Sequence, residues 1–421
     1  MKREPRSKKP KTQRGRRVGK DTASSRDDSQ RLGSGMVVPA EIIGMIVDEV
    51  DFQAASQVEA NRLLCRLAHS SRVLQKEAER RLYSEINFPI GELMAQKTAP
   101  ILRSRTAKYV RYLTIWNYGP VLRRGRASDR IVSALPFHLM TGLKSIEVYL
   151  DGEGGEFDSQ SPDPQLFTLL DQGLQENILT EFICDLPLRS SELSFLHKQR
   201  GIRFLQANLV PSDSPDGNPD EPFRPFIFPK LCKLNVNGMD EYTASSFMTE
   251  SKVVELSVMN GFTTPRNWAS MAANLQLLDI AFSPVTRRSL KEIVRCSPHL
   301  QIFVFKLHEE WSMHLDATLI DILEELKNLN ALAMALGITA LETDVQSFAT
   351  LAREFSRCRA LHTVLLSYDF QLGQTAMTLD RVINAEQKAD WFPQRIEVHL
   401  GQWIAEQLMR IYNQKDPVKP S

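Results

Sequence analysis

His308-Glu309-Glu310, followed by His314, brings imidazoles and carboxylates together in one short stretch. These are the donor types that a zinc or acid–base site needs. The two histidines lie six positions apart (314 − 308). Helical neighbours on one face lie three or four apart, so this cluster reads as a charged surface and not as a metal site. Asp151-Gly152-Glu153-Gly154-Gly155-Glu156, running on to Pro164, is rich in oxygen ligands. It lacks the ordered ligand spacing of a calcium loop and reads as a flexible insert. Cys65 sits in an apolar helical pattern and reads as a core thiol, not a nucleophile. There is no phosphate-cradling Gly-x-x-x-x-Gly-Lys-Ser/Thr and no Gly-x-Ser-x-Gly elbow. Trp116, Trp268, Trp391 and Trp403 form no ladder on which bases could stack. The expectation is a non-catalytic protein without metal or cofactor.

Charge narrows the partners. The chain has 421 residues, a net charge of +1 and 24% charged residues, so its body carries no overall bias towards nucleic acid or anionic membrane. Residues 1–35 differ. Lys8, Lys9, Lys11, Arg14, Arg16 and Arg17 form a dense basic cluster, and the following Ser/Asp/Gly-rich stretch has almost nothing apolar to offset its ordering entropy. The cluster reads as a nuclear-import signal, a nonspecific phosphate contact or simply a solvated tail. Five cysteines without Cys-x-x-Cys spacing fit free, mostly packed thiols in a reducing compartment. The apolar run around Ala331–Leu341 is shorter than the roughly 20 residues that a membrane helix needs. A cytoplasmic or nuclear protein is expected.

The elements that would position a binding face fall into two sets. Within residues 36–90, Pro39 suits a first helical turn, and Ile42, Ile43, Ile46, Val47 and Val50 recur at three- and four-residue steps. A second helix is predicted near Ala60–His69, with Leu63, Leu64 and Leu67 inward, and a third over about Arg72–Tyr83, with Val73, Leu74, Ala78 and Leu82 at helical spacing. Three short helices make a thin core that gains by docking on something else.

From residue 91 to 400 one template, Leu-x-x-Leu-x-Leu with apolar substitutions, recurs ten times. It begins at Val110, Leu143, Leu179, Ile202, Leu231, Val253, Leu275, Leu300, Leu329 and Leu361, so successive starts lie 22 to 36 residues apart. The middle spacings match those of leucine-rich repeats, about 20–29 residues. Helical patterns fall between some of them, at Ser289–Arg295, Leu319–Leu326 and Phe348–Phe355. An ordinary α/β sheet would also alternate strands and helices, but ten segments in register with one template favour a solenoid of parallel strands and outer helices. Pro211–Pro229 reads as a loop, and residues 401–421 as a terminal helix and tail.

Val38-Pro39-Ala40-Glu41-Ile42-Ile43, with Ile46 and Val50 beyond it, resembles the opening of an F-box. Leu64-Cys65-Arg66-Leu67-Ala68 and Ala78-Glu79-Arg80-Arg81-Leu82-Tyr83 resemble its middle and closing segments as fungal F-box proteins write them. Cys296-Ser297-Pro298-His299-Leu300 and Cys358-Arg359-Ala360-Leu361 echo a step in F-box leucine-rich proteins. The resemblance implies an α/β protein: an F-box module, then an irregular leucine-rich-repeat-like solenoid. It also implies a substrate-recognition subunit of a cullin–RING ubiquitin ligase. Val38, Pro39, Ile42, Ile43, Ile46, Val47, Val50, Leu63, Leu67 and Leu74 would hold a Skp-type adaptor, and the solenoid would hold a protein substrate. The other reading is a repeat scaffold whose first helices only cap the body.

In such a solenoid the residues between template positions face the partner. Here they are Lys233, Asn235 and Asn237; Glu255, Ser257 and Met259; Leu277, Asp279 and Ala281; Ile302, Val304 and Lys306; Ala331, Ala333 and Ala335. Leu277, Ile302, Val304, Ala331 and Ala333 would form an apolar patch, flanked by Asp279 and Lys306, that takes a partner's apolar segment. Alternatively, a C-terminal helix bearing Trp403, Ile404, Leu408 and Ile411 covers it.

Overall fold

The computed structural model of the protein describes residues 38–90, 98, 100–118, 135–151, 164–189, 192–209, 225–309, 311, 317–336, 354–367, 370, 375–383, 389–397 and 399–415. The chain divides into two compact units, Met1–Glu77 and Ala78–Ser421. The basic cluster of residues 8–17, the acidic stretch 152–163, His314 and most of the helix expected at Phe348–Phe355 lie outside the described residues.

The first unit holds α1 (Ala40–Gln53), α2 (Gln57–Ser70) and the start of α3 (Arg72–Leu82). Ser56 begins α2 as the sequence chemistry dictates. Its hydroxyl accepts the Glu59 N–H at 3.3 Å, while the Glu59 carboxylate accepts the Ala55 N–H at 3.1 Å. This reciprocal arrangement satisfies two donors that a helix start leaves free. Helices α1 and α2 pack together, burying Ile43 and Val47 from one and Ala60 and Leu64 from the other.

The second unit is a thirteen-stranded sheet whose strands lie side by side in chain order. They are β1 (Glu85–Ile90), β2 (Tyr112–Tyr118), β3 (Ser145–Asp151), β4 (Glu181–Leu188), β5 (Phe204–Leu209), β6 (Lys233–Val236) and β7 (Glu255–Val258). They continue with β8 (Leu277–Val285), β9 (Ile302–Leu307), β10 (Ala331–Ala335), β11 (Thr363–Ser367), β12 (Thr375–Ile383) and β13 (Ala389–Glu397). From β1 to β11 every pairing is parallel. All ten template segments run into strands, β2 to β11, and their middle residues stand in one column. Leu113 faces Ile146, Ile146 faces Phe182, and the column runs on through Leu205, Leu234, Leu256, Leu278, Phe303 and Leu332 to Val364. Every member is buried in a single core cluster.

Between strands run α4 (Pro164–Gly173), α5 (Glu241–Phe247), α6 (Trp268–Ala272), α7 (Arg287–Cys296) and α8 (Ala317–Leu323). They add Leu170, Phe247, Trp268, Ile293 and Leu323 to that same cluster, so these helices cover one face of the sheet. Where a regular helix is replaced by the short turn Ser194–Lys198, buried Gln199 does the joining. Its Oε1 accepts the Leu179 N–H at 3.1 Å and its Nε2 donates to the Gln175 carbonyl at 2.8 Å. The arrangement is a solenoid-like α/β fold.

Two expectations about its ends need correction. Residues 85–90 are the first strand of the sheet and not part of a helical module, because Ile86 and Phe88 alternate with exposed Glu85 and Asn87 in the two-residue period of a strand. At the other end the parallel pattern stops: β12 and β13 return antiparallel to β11 and to each other. Among the described residues the last element is α9 (Leu400–Lys415).

Candidate functional site

Two surfaces stand out, one in each unit. On α1, the five apolar residues do not form a single stripe. Residues four apart line up, and neighbours turn by roughly 100°. Ile43 and Val47 are therefore buried, whereas Ile42 and Ile46 remain 45% and 44% exposed, with Met45 beside them at 66%. Val38, Val50, Leu63, Leu67 and Leu74 are half-buried and Pro39 is exposed. Phe52 and Val58 extend the exposed apolar set at the junction of α1 and α2. Cys65, expected in the core, lies on the exposed side of α2. Leu64 takes the buried position next to it, one helical step away.

The second surface is the sheet face opposite α4–α8. Its apolar half is closed. Leu277, Ile302, Val304, Ala331 and Ala333 are buried in a second cluster with Trp403 and Ile411 of α9, against which Leu400, Ile404 and Leu408 also pack. The expected open patch for an apolar partner segment is thus filled by the chain's own last helix. Lys306 at its margin stays partly exposed, whereas Asp279 keeps some exposed surface as a residue but has its carboxyl enclosed. Alanine at 281, 331, 333 and 335 gives the sheet a low surface on which the Trp403 ring can sit. Burial pushes the Asp279 carboxyl up to about 6, although it accepts the Ala281 N–H at 3.1 Å and the Ser257 hydroxyl at 3.5 Å.

The other half of this face, over β2–β7, carries a polar ladder. Thr114 donates to Glu147 at 3.2 Å; Asn235 donates to Gln206 at 3.2 Å, and Gln206 in turn donates to Asp185 at 2.6 Å. A second rung links Asn260 to Asn237 at 2.7 Å and Asn237 to Asn208 at 3.3 Å. At the β2–β3 end, Trp116 and Tyr149 face each other in register, with ring centroids 4.9 Å apart. Burial, together with the charges of Glu147 and Asp185, pushes the Tyr149 hydroxyl up to about 12. Lys233 and Glu255 form an ion pair at 3.6 Å, and the Lys233 ammonium also lies 5.0 Å from the Phe204 ring centre.

Reading alternate residues of β6–β10 identifies Asn235, Asn237 and Ser257. Trp116, Glu147, Tyr149, Asp185, Gln206 and Asn208 belong to the same face and were found only in the structure. The same alternation applied to β2–β5 would have named most of them. Among the described residues no group of three or more His, Cys, Asp or Glu side chains could hold a metal ion, and no helix is long and apolar enough to cross a membrane. Cys184, Cys296 and Cys358 are buried, and burial raises the Cys184 thiol to about 12 and the Cys358 thiol to about 11. Thiols held protonated in this way are poor nucleophiles. No protein-family model matches the chain, and no curated protein matches it.

Proposed function

We propose that this chain is the substrate-recognition subunit of a cullin–RING ubiquitin ligase. In this reading α1–α3 are an F-box module that binds a Skp-type adaptor, and the sheet's open polar face holds a protein substrate. Ubiquitin transfer then takes place on other subunits, and the chain contributes by raising the substrate's effective concentration there.

The observation that carries the reading is the exposure of Ile42, Met45 and Ile46 on one side of a helix whose other side is already packed. A helix that served only as a cap would turn its large apolar residues inward. Apolar side chains left clustered at a surface mark a docking site. Ile42, Ile46 and Val50 stand at the positions that the F-box resemblance assigns to adaptor contact, with Phe52 and Val58 adjacent in sequence.

The test is capture of a recombinant Skp-type adaptor by the purified full chain, compared with the Ile42→Asp plus Ile46→Asp variant. Both residues are exposed, so the variant is expected to fold with an unchanged circular dichroism spectrum and lose stoichiometric capture. Failure of the folded wild type to capture the adaptor would leave a repeat scaffold and remove the ligase reading.

A further inference from the structure

We propose that the face of β2–β5 binds an extended cationic segment of a partner protein, with an Arg or Lys side chain seated against Trp116 and Tyr149 and paired with Glu147 and Asp185. The proposal deepens the substrate half of the function proposed above and is independent of adaptor binding.

Charge is the first argument. The strand positions on this face, read from alternation with the buried column, are Glu85 and Asn87 on β1, then Tyr112, Thr114 and Trp116 on β2. Ser145, Glu147 and Tyr149 follow on β3, Glu181, Ile183 and Asp185 on β4, and Phe204, Gln206 and Asn208 on β5. Four are carboxylates and none is Lys, Arg or His. The first cation, Lys233 on β6, is already paired with Glu255. Among the described residues neither Glu147 nor Asp185 forms an ion pair; each instead accepts a neutral hydrogen bond, from Thr114 and Gln206 respectively. Among the described residues, negative charge without a cationic partner is therefore gathered at one place on the sheet.

The aromatic pair is the second. Trp116 and Tyr149 lie side by side on adjacent strands at an interplanar angle of 30°, partly exposed, and both carboxylates act on the Tyr149 hydroxyl. Ring faces beside carboxylates suit a guanidinium or ammonium group, which gains from the ring quadrupole and from charge-assisted hydrogen bonds together. Nucleic acid and anionic lipid are repelled by the same charges.

The amides supply the third. Gln206 and Asn208 on β5, Asn235 on β6 and Asn237 just after it run on from the cation site as a row of half-buried side-chain amides. Such a row can donate to and accept from the main chain of an extended peptide laid across the strands, which fixes its path without demanding a particular side chain. The closed apolar half under α9 marks where that path ends.

The experiment measures binding of an unstructured peptide of alternating Arg, Gly and Ser to the full chain by fluorescence anisotropy, with a Glu-for-Arg peptide as control. Wild type should bind the cationic peptide alone, more weakly as salt rises. Glu147→Gln plus Asp185→Asn keeps the shape of both side chains and should weaken binding about tenfold or more. Equal affinity in that variant, with its melting temperature unchanged, would overturn the proposal. So would the absence of binding by wild type. Binding that emerges only when residues 2–20 are removed would make the chain's own basic tail the occupant and overturn the assignment to a partner. Adaptor capture by the same preparations reads the other half of the function, so loss of one property without the other shows which idea has failed.

Discussion

Asp279 shows how a single residue on the sheet face carries a cost that its neighbours set. It stands between Ser257 and the buried Val304 in the strand register, at the edge of the apolar cluster under α9. Burial disfavours its charged form and raises its carboxyl from 3.8 to about 6, against the opposing hydrogen bonds from Ala281 and Ser257. The folded chain therefore holds a proton that the unfolded chain releases between about pH 4 and 6. The stability linked to that proton is full below the unfolded value and is lost as pH rises through the folded one. Asp279→Asn keeps an acceptor for the Ala281 N–H and removes the charge. It is expected to be more stable than wild type at pH 8 by about 2 kcal/mol, with the difference closing towards pH 4. Urea melts at both pH values check this; a constant difference would mean that Asp279 is ionised without penalty.

At the scale of elements, α9 decides which half of the sheet is available. Its Leu400, Trp403, Ile404, Leu408 and Ile411 recur at helical spacing and meet a floor made low by alanines, while Met409 points away. Trp403 is the largest side chain in this contact and is 5% exposed. Trp403→Ala should cost about 3–5 kcal/mol, the range for emptying a large aromatic site. It should also raise binding of an apolar dye, because Ile302 and Val304 lose their cover. A melting temperature within experimental error of wild type would show that α9 is not held by this ring. Helix α1 behaves in the opposite way: Ile43 and Val47 hold it in place, and Ile42 and Ile46 are free to be replaced. Polar substitution at the first pair should unfold the unit, and at the second should change only what docks there.

For the whole molecule, the chain-order sheet means that each strand leans mainly on the two beside it, so stability is close to a sum of local terms. Leu256→Ala, in the middle of the buried column, is expected to cost 2–5 kcal/mol, the usual range for such core truncations. Coupling mainly through neighbours should also broaden the urea transition and separate the fluorescence and circular dichroism midpoints. A single sharp transition in the variant would mean that the sheet melts as one unit despite its topology.

The ten strands, their register and the identity of the buried column were legible in the sequence, because a short repeat carries its core pattern locally in every copy. The helical character of residues 40–82 and the amphipathic last helix were legible for the same reason. Three things were not. The antiparallel return of β12 and β13 has no template to announce it. The split of α1 into Ile43/Val47 and Ile42/Ile46 depends on which side meets α2, and spacing alone fits either. The fate of the apolar patch also had to await the fold: Trp403 lies 101 positions after Ile302 (403 − 302), and only the folded chain brings them together. Local periodicity determines elements, because a strand or helix buries its own pattern. Which exposed pattern is left for a partner is decided by long-range contacts, because covering one face leaves another open.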